Sequence, residues 1–221
     1  MGGKQMGVKP RFQDRSEAGK ILAAHVAKAV DDPDIIVLAL PRGGVPVAFE
    51  VARSLRAPMD IYVVRKLGLP GEEELAIGAI ASGGVRVLNR ALIAHLQTPQ
   101  ELIERVTAEQ AAELERREQL YRGSRALIPI KGRTVILVDD GLATGATMLA
   151  AVRSVRAQEP RQIVVAIPVA PPSACESIRQ EVDQVVCAAT PEPFLAVGSW
   201  YEDFSQTTDE DVRELLARGS S

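Results

Sequence analysis

The chain has 221 residues, of which 46% are hydrophobic and 25% are charged, and its net charge is -3. These values are typical of a single globular domain with a sizeable core, which we place at residues 10–221. The small negative charge argues against nucleic acid and an anionic membrane surface as partners. No apolar run approaches the ~20 residues that a transmembrane helix needs.

Neither the first residues nor the cysteines indicate secretion. Residues 1–9 are Gly-rich and lack an apolar signal core, so we expect a cytoplasmic protein. We expect this segment to be disordered or left over from expression. Cys175 and Cys187 lie on separate predicted elements without metal-ligand spacing, so we expect both to be reduced and at least partly buried.

Hydrophobic periodicity predicts an alternation of strands and helices along most of the chain. The predicted helices are 17–30, 45–55, 89–96, 98–122, 147–155, 173–180 and one beginning at 209, and the predicted strands are 35–40, 59–64, 75–81, 85–88, 134–138, 161–167 and 184–188. This alternation predicts an α/β fold with a doubly wound, mostly parallel sheet. Loops that follow its strands emerge at the carboxyl edge, where open α/β sheets bind ligands.

The first candidate anion-binding loop follows strand 35–40. Arg42, Gly43 and Gly44 separate this strand from the next helix. Glycine permits close backbone approach, and the forked guanidinium group of arginine suits phosphate oxygens. A tight turn is the alternative explanation of such a short motif.

Two cations follow the next strand, 59–64. Arg65 and Lys66 precede a loop rich in glycine and proline, so they form either an anion-binding pair or a solvated surface turn. Strands 75–81 and 85–88 then flank Ser82-Gly83-Gly84, which predicts a hairpin.

The long helix 98–122 has a predicted cap and a charged face. Thr98 is the expected N-cap, Pro99 the first helical residue, and Glu101 the partner in a capping box. Glutamate and arginine recur four residues apart, as in Glu113–Arg117 and Glu118–Arg122, so we interpret this face as solvated surface. The alternative is a contact between subunits, and a homodimer is therefore among the expected partners.

The most informative stretch begins with the buried strand 134–138, which is followed directly by Asp139 and Asp140. Two carboxylates repel a phosphate that lies directly on them. They suit instead a pair of sugar hydroxyls or a hydrated Mg²⁺ ion.

A loop of small residues leads from these acids into the next helix. The free N–H groups and the positive end of the dipole at the start of a helix bind phosphate. The predicted phosphate-binding residues are Ala143, Thr144, Gly145, Ala146 and Thr147. An anion site beside a diol site predicts a ribose 5-phosphate unit as the ligand.

The tail contains a local excess of aromatic residues. Four of them occur between Phe194 and Phe204, in a chain that is only 4% aromatic. Aromatic rings can stack on a flat base, and the packing of a C-terminal segment is the alternative explanation.

The stretch VILVDDGLATGATM resembles the phosphoribosyl pyrophosphate (PRPP) motif of type I phosphoribosyltransferases, especially the adenine enzymes. PRGGVPVAFEVARSL is similar to the pyrophosphate loop of the xanthine-type enzymes, where one non-proline cis peptide is common. VVRKLGLPG is similar to a stretch of the adenine enzymes. In that family a mobile loop, here residues 67–74, closes over the reacting sugar.

The resemblance implies transfer of a phosphoribosyl group from PRPP to a nitrogenous base, a purine, with release of pyrophosphate and dependence on Mg²⁺. Asp139 and Asp140 would be the catalytic acids, binding the ribose hydroxyls and, through water or those hydroxyls, the metal. The loop 143–147 would bind the 5-phosphate. The implied pyrophosphate-binding residues are Arg42, Gly43, Gly44, Arg65 and Lys66.

A small hood over a core of about 35–190 is also implied, with segments 11–30 and 190–206 as candidates. By a looser match Val197, Trp200 and Glu202 are candidates for contacting the base. The lysine that usually recognises the purine is replaced by the Pro-Val-Ala segment 168–170. The long helix 98–122 is a departure from the smallest family members.

Two other classes of protein remain as alternatives. A catalytically weak PRPP- or nucleotide-binding regulatory protein of the same fold would retain the same motifs. A receiver-like signalling domain would need a partner lysine after a later strand, and the segment 163–170 contains none.

Overall fold

The computed structural model describes residues 11–219, without the side chains of residues 72–74. The expectations for residues 1–9 lie outside this part of the chain. The helices are α1 (Arg15–Ala29), α2 (Gly44–Leu55), α3 (Arg90–His95), α4 (Gln100–Arg122), α5 (Ala146–Arg156), α6 (Pro172–Arg179) and α7 (Asp209–Gly219). The strands are β1 (Ile35–Ala39), β2 (Met59–Ile61), β3 (Val64–Leu69), β4 (Glu72–Ala81), β5 (Val85–Leu88), β6 (Thr134–Val138), β7 (Gln162–Val169) and β8 (Gln184–Ala189).

Five parallel strands form the main sheet in the order β2-β1-β6-β7-β8. Every residue of β1 and β6 is buried, because both faces of the sheet are covered. Val37 and Ala39 point into a core shared with α1, α2 and α7, whereas Ile36 and Leu38 point into a core shared with α5 and α6. The predicted doubly wound α/β fold is therefore confirmed.

The connections diverge between β1 and β6. These strands are neighbours in register, with Ala39 opposite Val138, but α2 leads from β1 to β2 and α5 leads from β6 to β7 on the other side. The loops after β1 and β6 thus lead to helices on opposite faces of the sheet. Such a switch point is where open α/β sheets form a ligand-binding crevice.

A second, antiparallel sheet contains β3, β4 and β5. The predicted hairpin around Ser82-Gly83-Gly84 is confirmed, but two other predictions for this region are wrong. Segment 59–64 is not one strand, because β2 ends at Ile61 and β3 begins at Val64. Most of segment 67–74, expected as a loop, belongs to β3 and β4, which are joined at Gly71 with a φ of 82°.

The long helix α4 begins one residue later than predicted. The backbone N–H groups of Leu102 and Ile103 donate to the carbonyl oxygen of Pro99, so Pro99 is the cap and Thr98 lies outside the helix. The predicted capping box is therefore wrong, and the Thr98 hydroxyl is buried with no hydrogen-bond partner among the described residues. The predicted ion pairs Glu113–Arg117 and Glu118–Arg122 are present at 2.7 Å and 3.0 Å. The predicted solvated face does not extend to Arg122, which is buried because it also pairs with Asp60.

The hood joins the start of the described chain to the segment that precedes α7. Phe12 forms a parallel β-bridge with Tyr201, and their rings lie 5.4 Å apart. The body of α1 packs on α2 and on the sheet, so only the residues around its start reach the hood.

Within residues 11–219, no helix has the length and apolarity needed to cross a membrane. Cys175 is buried and Cys187 partly buried, and neither forms a disulfide.

Candidate active site

The loop after β1 lies directly against the loop after β6. A Cβ atom at Gly43 would lie 2.1 Å from Oδ2 of Asp140, and one at Gly44 would lie 2.7 Å from the carbonyl oxygen of Val138. Only glycine permits this approach. The Pro41–Arg42 peptide bond is cis, as is common in the loop that this segment resembles.

The two acids are partly buried side by side. The backbone N–H of Asp140 donates to Oδ1 of Asp139 at 2.9 Å. Burial and the neighbouring Asp140 carboxylate raise the pKa of Asp139 well above its usual range. Burial also raises the pKa of Asp140, although Arg15 opposes this shift. The surroundings of these two carboxylates therefore disfavour their negative charge. Such perturbed acids are typical of residues that bind a ligand.

Arg15 is a member of the site that the sequence patterns did not reveal. Its Nε donates to Oδ2 of Asp140 at 2.8 Å, and its Nη1 donates to the carbonyl oxygen of Ser205 at 2.6 Å. The guanidinium carbon lies 3.9 Å from the centre of the Phe204 ring. Tyr201 adds a second link, because its hydroxyl donates to the backbone oxygen of Asp140 at 2.5 Å. The hood thus holds Asp140 by both its side chain and its backbone.

The predicted phosphate loop leads into the N-terminus of α5. Gly145 is the cap residue in a left-handed conformation, with a φ of 75°, and no side chain caps the helix. The residues around it are exposed, namely Ala143, Thr144, Ala146 and Thr147. The Thr144 hydroxyl accepts a long hydrogen bond of 3.4 Å from the Ala146 N–H. The start of α5 is therefore open to an anion, as a phosphate site requires.

Arg42 is connected to two distant helices. Its Nη1 lies 3.5 Å from Oδ1 of Asp209, the first residue of α7. The same oxygen accepts a hydrogen bond of 2.7 Å from the hydroxyl of Tyr121 on α4. Burial, with the adjacent Asp209 carboxylate, raises the pKa of Tyr121 to about 12, so the hydroxyl remains a donor at neutral pH.

Arg65 and Lys66 lie within β3 and not in the loop after a strand. Successive residues of a strand point to opposite faces. Arg65 therefore reaches α4, where its Nε donates to Oε1 of Gln110 at 2.9 Å. Lys66 lines a cavity of about 570 Å³ between the β3–β4–β5 sheet and α5, together with Ala146 of the phosphate loop. Arg65 and Lys66 therefore do not form the single anion-binding pair that the sequence predicted.

The three candidate base-contacting residues differ in position. Val197 lies against the site, because a Cβ at Gly141 would be 2.4 Å from its Cγ1. Trp200 stacks on Phe194 at 6.4 Å, and its indole N–H is buried with no partner among the described residues. Glu202 is exposed, and its backbone N–H donates to Phe12 across the hood.

Asp139 and Asp140 are the candidate ligands for a metal ion at this site. In the described part of the chain, no group of three or more His, Cys, Asp or Glu side chains is arranged to hold an ion. Mg²⁺ usually binds through one or two carboxylates together with substrate phosphates and water. The pair therefore fits an ion that arrives with a phosphorylated substrate.

Comparison with known proteins adds independent information. A family model described as a phosphoribosyl transferase domain matches residues 13–192. The crystal structure of TT1426 from Thermus thermophilus is 44% identical, with a TM-score of 0.87, covering 96% of this chain and 100% of that one. The AQ2163 protein from Aquifex aeolicus, at 13% identity and a TM-score of 0.50, covers 83% of this chain and 78% of that one and shows the fold alone.

A curated relative from Mycobacterium tuberculosis (strain H37Rv) is named "Putative phosphoribosyl transferase Rv0571c". It is 46% identical over 207 residues, which are 94% of this chain and 46% of the relative. A second relative, from strain CDC 1551, shows the same identity and coverage. The chain thus spans about half the length of the curated relatives that it matches.

Proposed function

The chain belongs to the phosphoribosyl transferase family, and from this membership we propose that it moves the 5-phosphoribosyl group of PRPP to a purine base. Pyrophosphate is the leaving group, and Mg²⁺ is required. The observation that carries this proposal is the meeting of three features at one edge of the sheet: the Asp139–Asp140 pair, the open start of α5, and the Gly43 loop.

Each part of PRPP has a complementary part of the site. The 5-phosphate would accept hydrogen bonds from N–H groups and hydroxyls of residues 143–147. The ribose hydroxyls would donate to Asp139 and Asp140. The pyrophosphate would lie by the Gly43–Gly44 backbone and Arg42, with Lys66 approaching from the cavity face of β3. Arg65 lies on the opposite face against Gln110 and has no place in this arrangement.

Transfer requires cleavage of the bond between ribose C1 and pyrophosphate, with positive charge developing on the sugar. In this proposal the carboxylates of Asp139 and Asp140, which the fold holds in place beside the sugar, stabilise this charge. Arg42 stabilises the negative charge of the departing pyrophosphate. Positioning supplies most of the rate enhancement, and the mechanism assigns no protein nucleophile.

Mg²⁺, when bound with the substrate, supplies neutralisation of the pyrophosphate charge. Asp139 and Asp140 would hold it through water or through the ribose hydroxyls, which fits a set of only two carboxylates.

The base would enter between the hood and the acids. Val197 is the candidate with the best support, because it lies against Gly141, the residue after Asp140. Trp200 offers an aromatic face, and its buried indole N–H has no partner within residues 11–219; Glu202 is exposed. A homodimer and a cytoplasmic location stay predictions.

A regulatory protein that binds PRPP or a nucleotide is the second candidate function. The Arg15–Asp140 ion pair favours it, because a cation beside Asp140 offsets part of the negative charge that catalysis would use. The intact pair of acids and the cations around the site favour the enzyme.

Isotope exchange between pyrophosphate and PRPP, with Mg²⁺ and a panel of purine and pyrimidine bases, tests the proposal. We expect base-dependent exchange that is at least ~10²-fold slower in Asp140→Asn, by analogy with the loss of one preorganised electrostatic group. Wild-type rates in a folded Asp140→Asn variant would refute the catalytic role. PRPP binding without exchange for any base would favour the regulatory function.

A further inference from the structure

Arg15 is fixed from three directions. It donates to Asp140 Oδ2 at 2.8 Å and to the Ser205 carbonyl oxygen at 2.6 Å, and its guanidinium group lies 3.9 Å from the centre of the Phe204 ring. Its side chain is only 12% exposed, and that of Asp140 only 14%. A partly buried guanidinium group with two fixed acceptors has little freedom to move. The fold therefore holds the Arg15–Asp140 ion pair in one geometry.

The same acid is confined on its other sides. Tyr201 donates to the backbone oxygen of Asp140 at 2.5 Å, and the Gly43 backbone lies close to its Oδ2. Arg15 and the pyrophosphate loop therefore occupy the surroundings of Oδ2. The carboxylate has a defined orientation before any sugar arrives.

We propose that Arg15 is a positioning residue for ribose recognition: it orients Asp140 from the hood so that the carboxylate accepts a ribose hydroxyl. This inference rests on the proposed function, because it assumes that the ligand of Asp140 is a sugar diol. It assigns a role in the site to the start of α1, which lies outside the three stretches that resemble the family's motifs.

Charge and geometry both contribute to this role. A carboxylate that is largely removed from water is costly without a cation beside it. Hydrogen bonds to an ionised acceptor are about twice as strong as neutral ones and depend on alignment. Loss of Arg15 therefore weakens the hydrogen bond to the sugar hydroxyl but not the contacts of the 5-phosphate with the start of α5.

Two ligands distinguish this role from a general effect on the site. Ribose 5-phosphate engages both the acids and the start of α5, whereas inorganic phosphate engages only the start of α5. Calorimetric titration of both ligands into the full chain, without metal or base, measures binding independently of turnover. We expect Arg15→Met to weaken ribose 5-phosphate binding by about 10-fold or more and to leave phosphate binding unchanged.

Arg133→Met is the matched control. Arg133 also pairs with an acid and a carbonyl oxygen, namely Asp34 at 2.7 Å and Ile35 at 3.1 Å, but it lies at the opposite, amino edge of the sheet. Its substitution should change neither affinity. Arg15→Lys keeps the positive charge but lacks the planar set of guanidinium donors, so it should also weaken ribose 5-phosphate binding and leave phosphate binding unchanged. It serves as the test if Arg15→Met does not fold.

A double substitution tests whether Arg15 affects ribose 5-phosphate binding through Asp140. Asp140→Asn alone should reproduce the selective loss, and Arg15→Met added to it should cause no further loss of ribose 5-phosphate affinity. Additive losses would overturn the inference, as would equal weakening of both ligands in Arg15→Met and Arg15→Lys, or ribose 5-phosphate binding that is unchanged or tighter. Failure of the wild-type chain to bind ribose 5-phosphate would instead refute the proposed function.

Discussion

The hydroxyl of Tyr121 donates to Oδ1 of Asp209 at 2.7 Å, which joins the end of α4 to the start of α7 across 88 residues of sequence. Asp209 in turn lies 3.5 Å from Arg42 in the proposed pyrophosphate loop. The neighbouring Arg122 forms a buried ion pair with Asp60 at 3.1 Å, which fixes this end of α4. The long helix therefore supports the proposed active site.

Tyr121→Phe should weaken pyrophosphate binding. Without the hydroxyl, Asp209 loses a donor and interacts more strongly with Arg42, which is then less available to the ligand. We expect about 5-fold weaker inhibition by pyrophosphate, since one hydrogen bond contributes about 1 kcal/mol. Tyr62→Phe is the control, because the Tyr62 hydroxyl also has a side-chain partner, Nε2 of Gln158 at 2.8 Å, in a different part of the chain from Asp209. Equal inhibition of wild type and Tyr121→Phe would exclude this role.

The stability contributed by Tyr121 should disappear at alkaline pH. Burial and Asp209 raise its pKa from 10 to about 12 in the folded protein. The contribution is therefore fully present below pH 10 and is lost as the pH rises through about 12. Urea unfolding at pH 8 and at pH 11 should show that the free-energy difference between wild type and Tyr121→Phe shrinks. A difference that is constant or grows would contradict the assigned hydrogen bond.

Asp139→Asn should stabilise the fold while abolishing activity. Burial and the adjacent Asp140 raise the pKa of Asp139, so its stability contribution falls as the pH rises above the usual value for aspartate. Asparagine removes the charge but can still accept the hydrogen bond from the Asp140 N–H. We expect a gain of about 1 kcal/mol in the free energy of unfolding at pH 7.

Asp140→Asn is the comparison for this prediction. It should give no such gain, because it leaves the largely buried Arg15 without its charged partner. Thermal unfolding at pH 7 and at pH 4 measures both variants, and the advantage of Asp139→Asn should be smaller at pH 4. A loss of stability in Asp139→Asn at pH 7 would show that the buried Asp139 carboxylate does not destabilise the fold.

Gly43→Ala should disrupt ribose 5-phosphate binding without unfolding the chain. Its Cβ would lie 2.1 Å from Asp140 Oδ2, so the acid must move away from the diol. We expect at least ~10-fold weaker binding, comparable with the loss of a charge-assisted hydrogen bond. Gly219→Ala is the control, since its Cβ would make only ordinary contacts, 3.5 Å from Met59. Unchanged binding would mean that Asp140 does not contact the ligand.

Local patterns along the chain are sufficient to predict the sheet and the core of the proposed site. The apolar runs 35–40 and 134–138 predict buried parallel strands because burial on both faces requires continuous apolar residues. Asp139, Asp140 and the start of α5 follow directly along the chain, so their order fixes their proximity. For the same reason the loop with the exposed residues Ala143 and Thr144 lies directly before α5, and its binding of phosphate stays a prediction.

The side chains that surround that core are set by contacts between elements far apart in sequence. Arg15 meets Asp140 across 125 residues, and Arg65 reaches Gln110 on a helix inserted between two strands. Arg65 and Lys66 are adjacent in sequence but lie on opposite faces, because they belong to a strand. Such contacts depend on how the elements pack together, and periodicity along the chain carries no information about that packing.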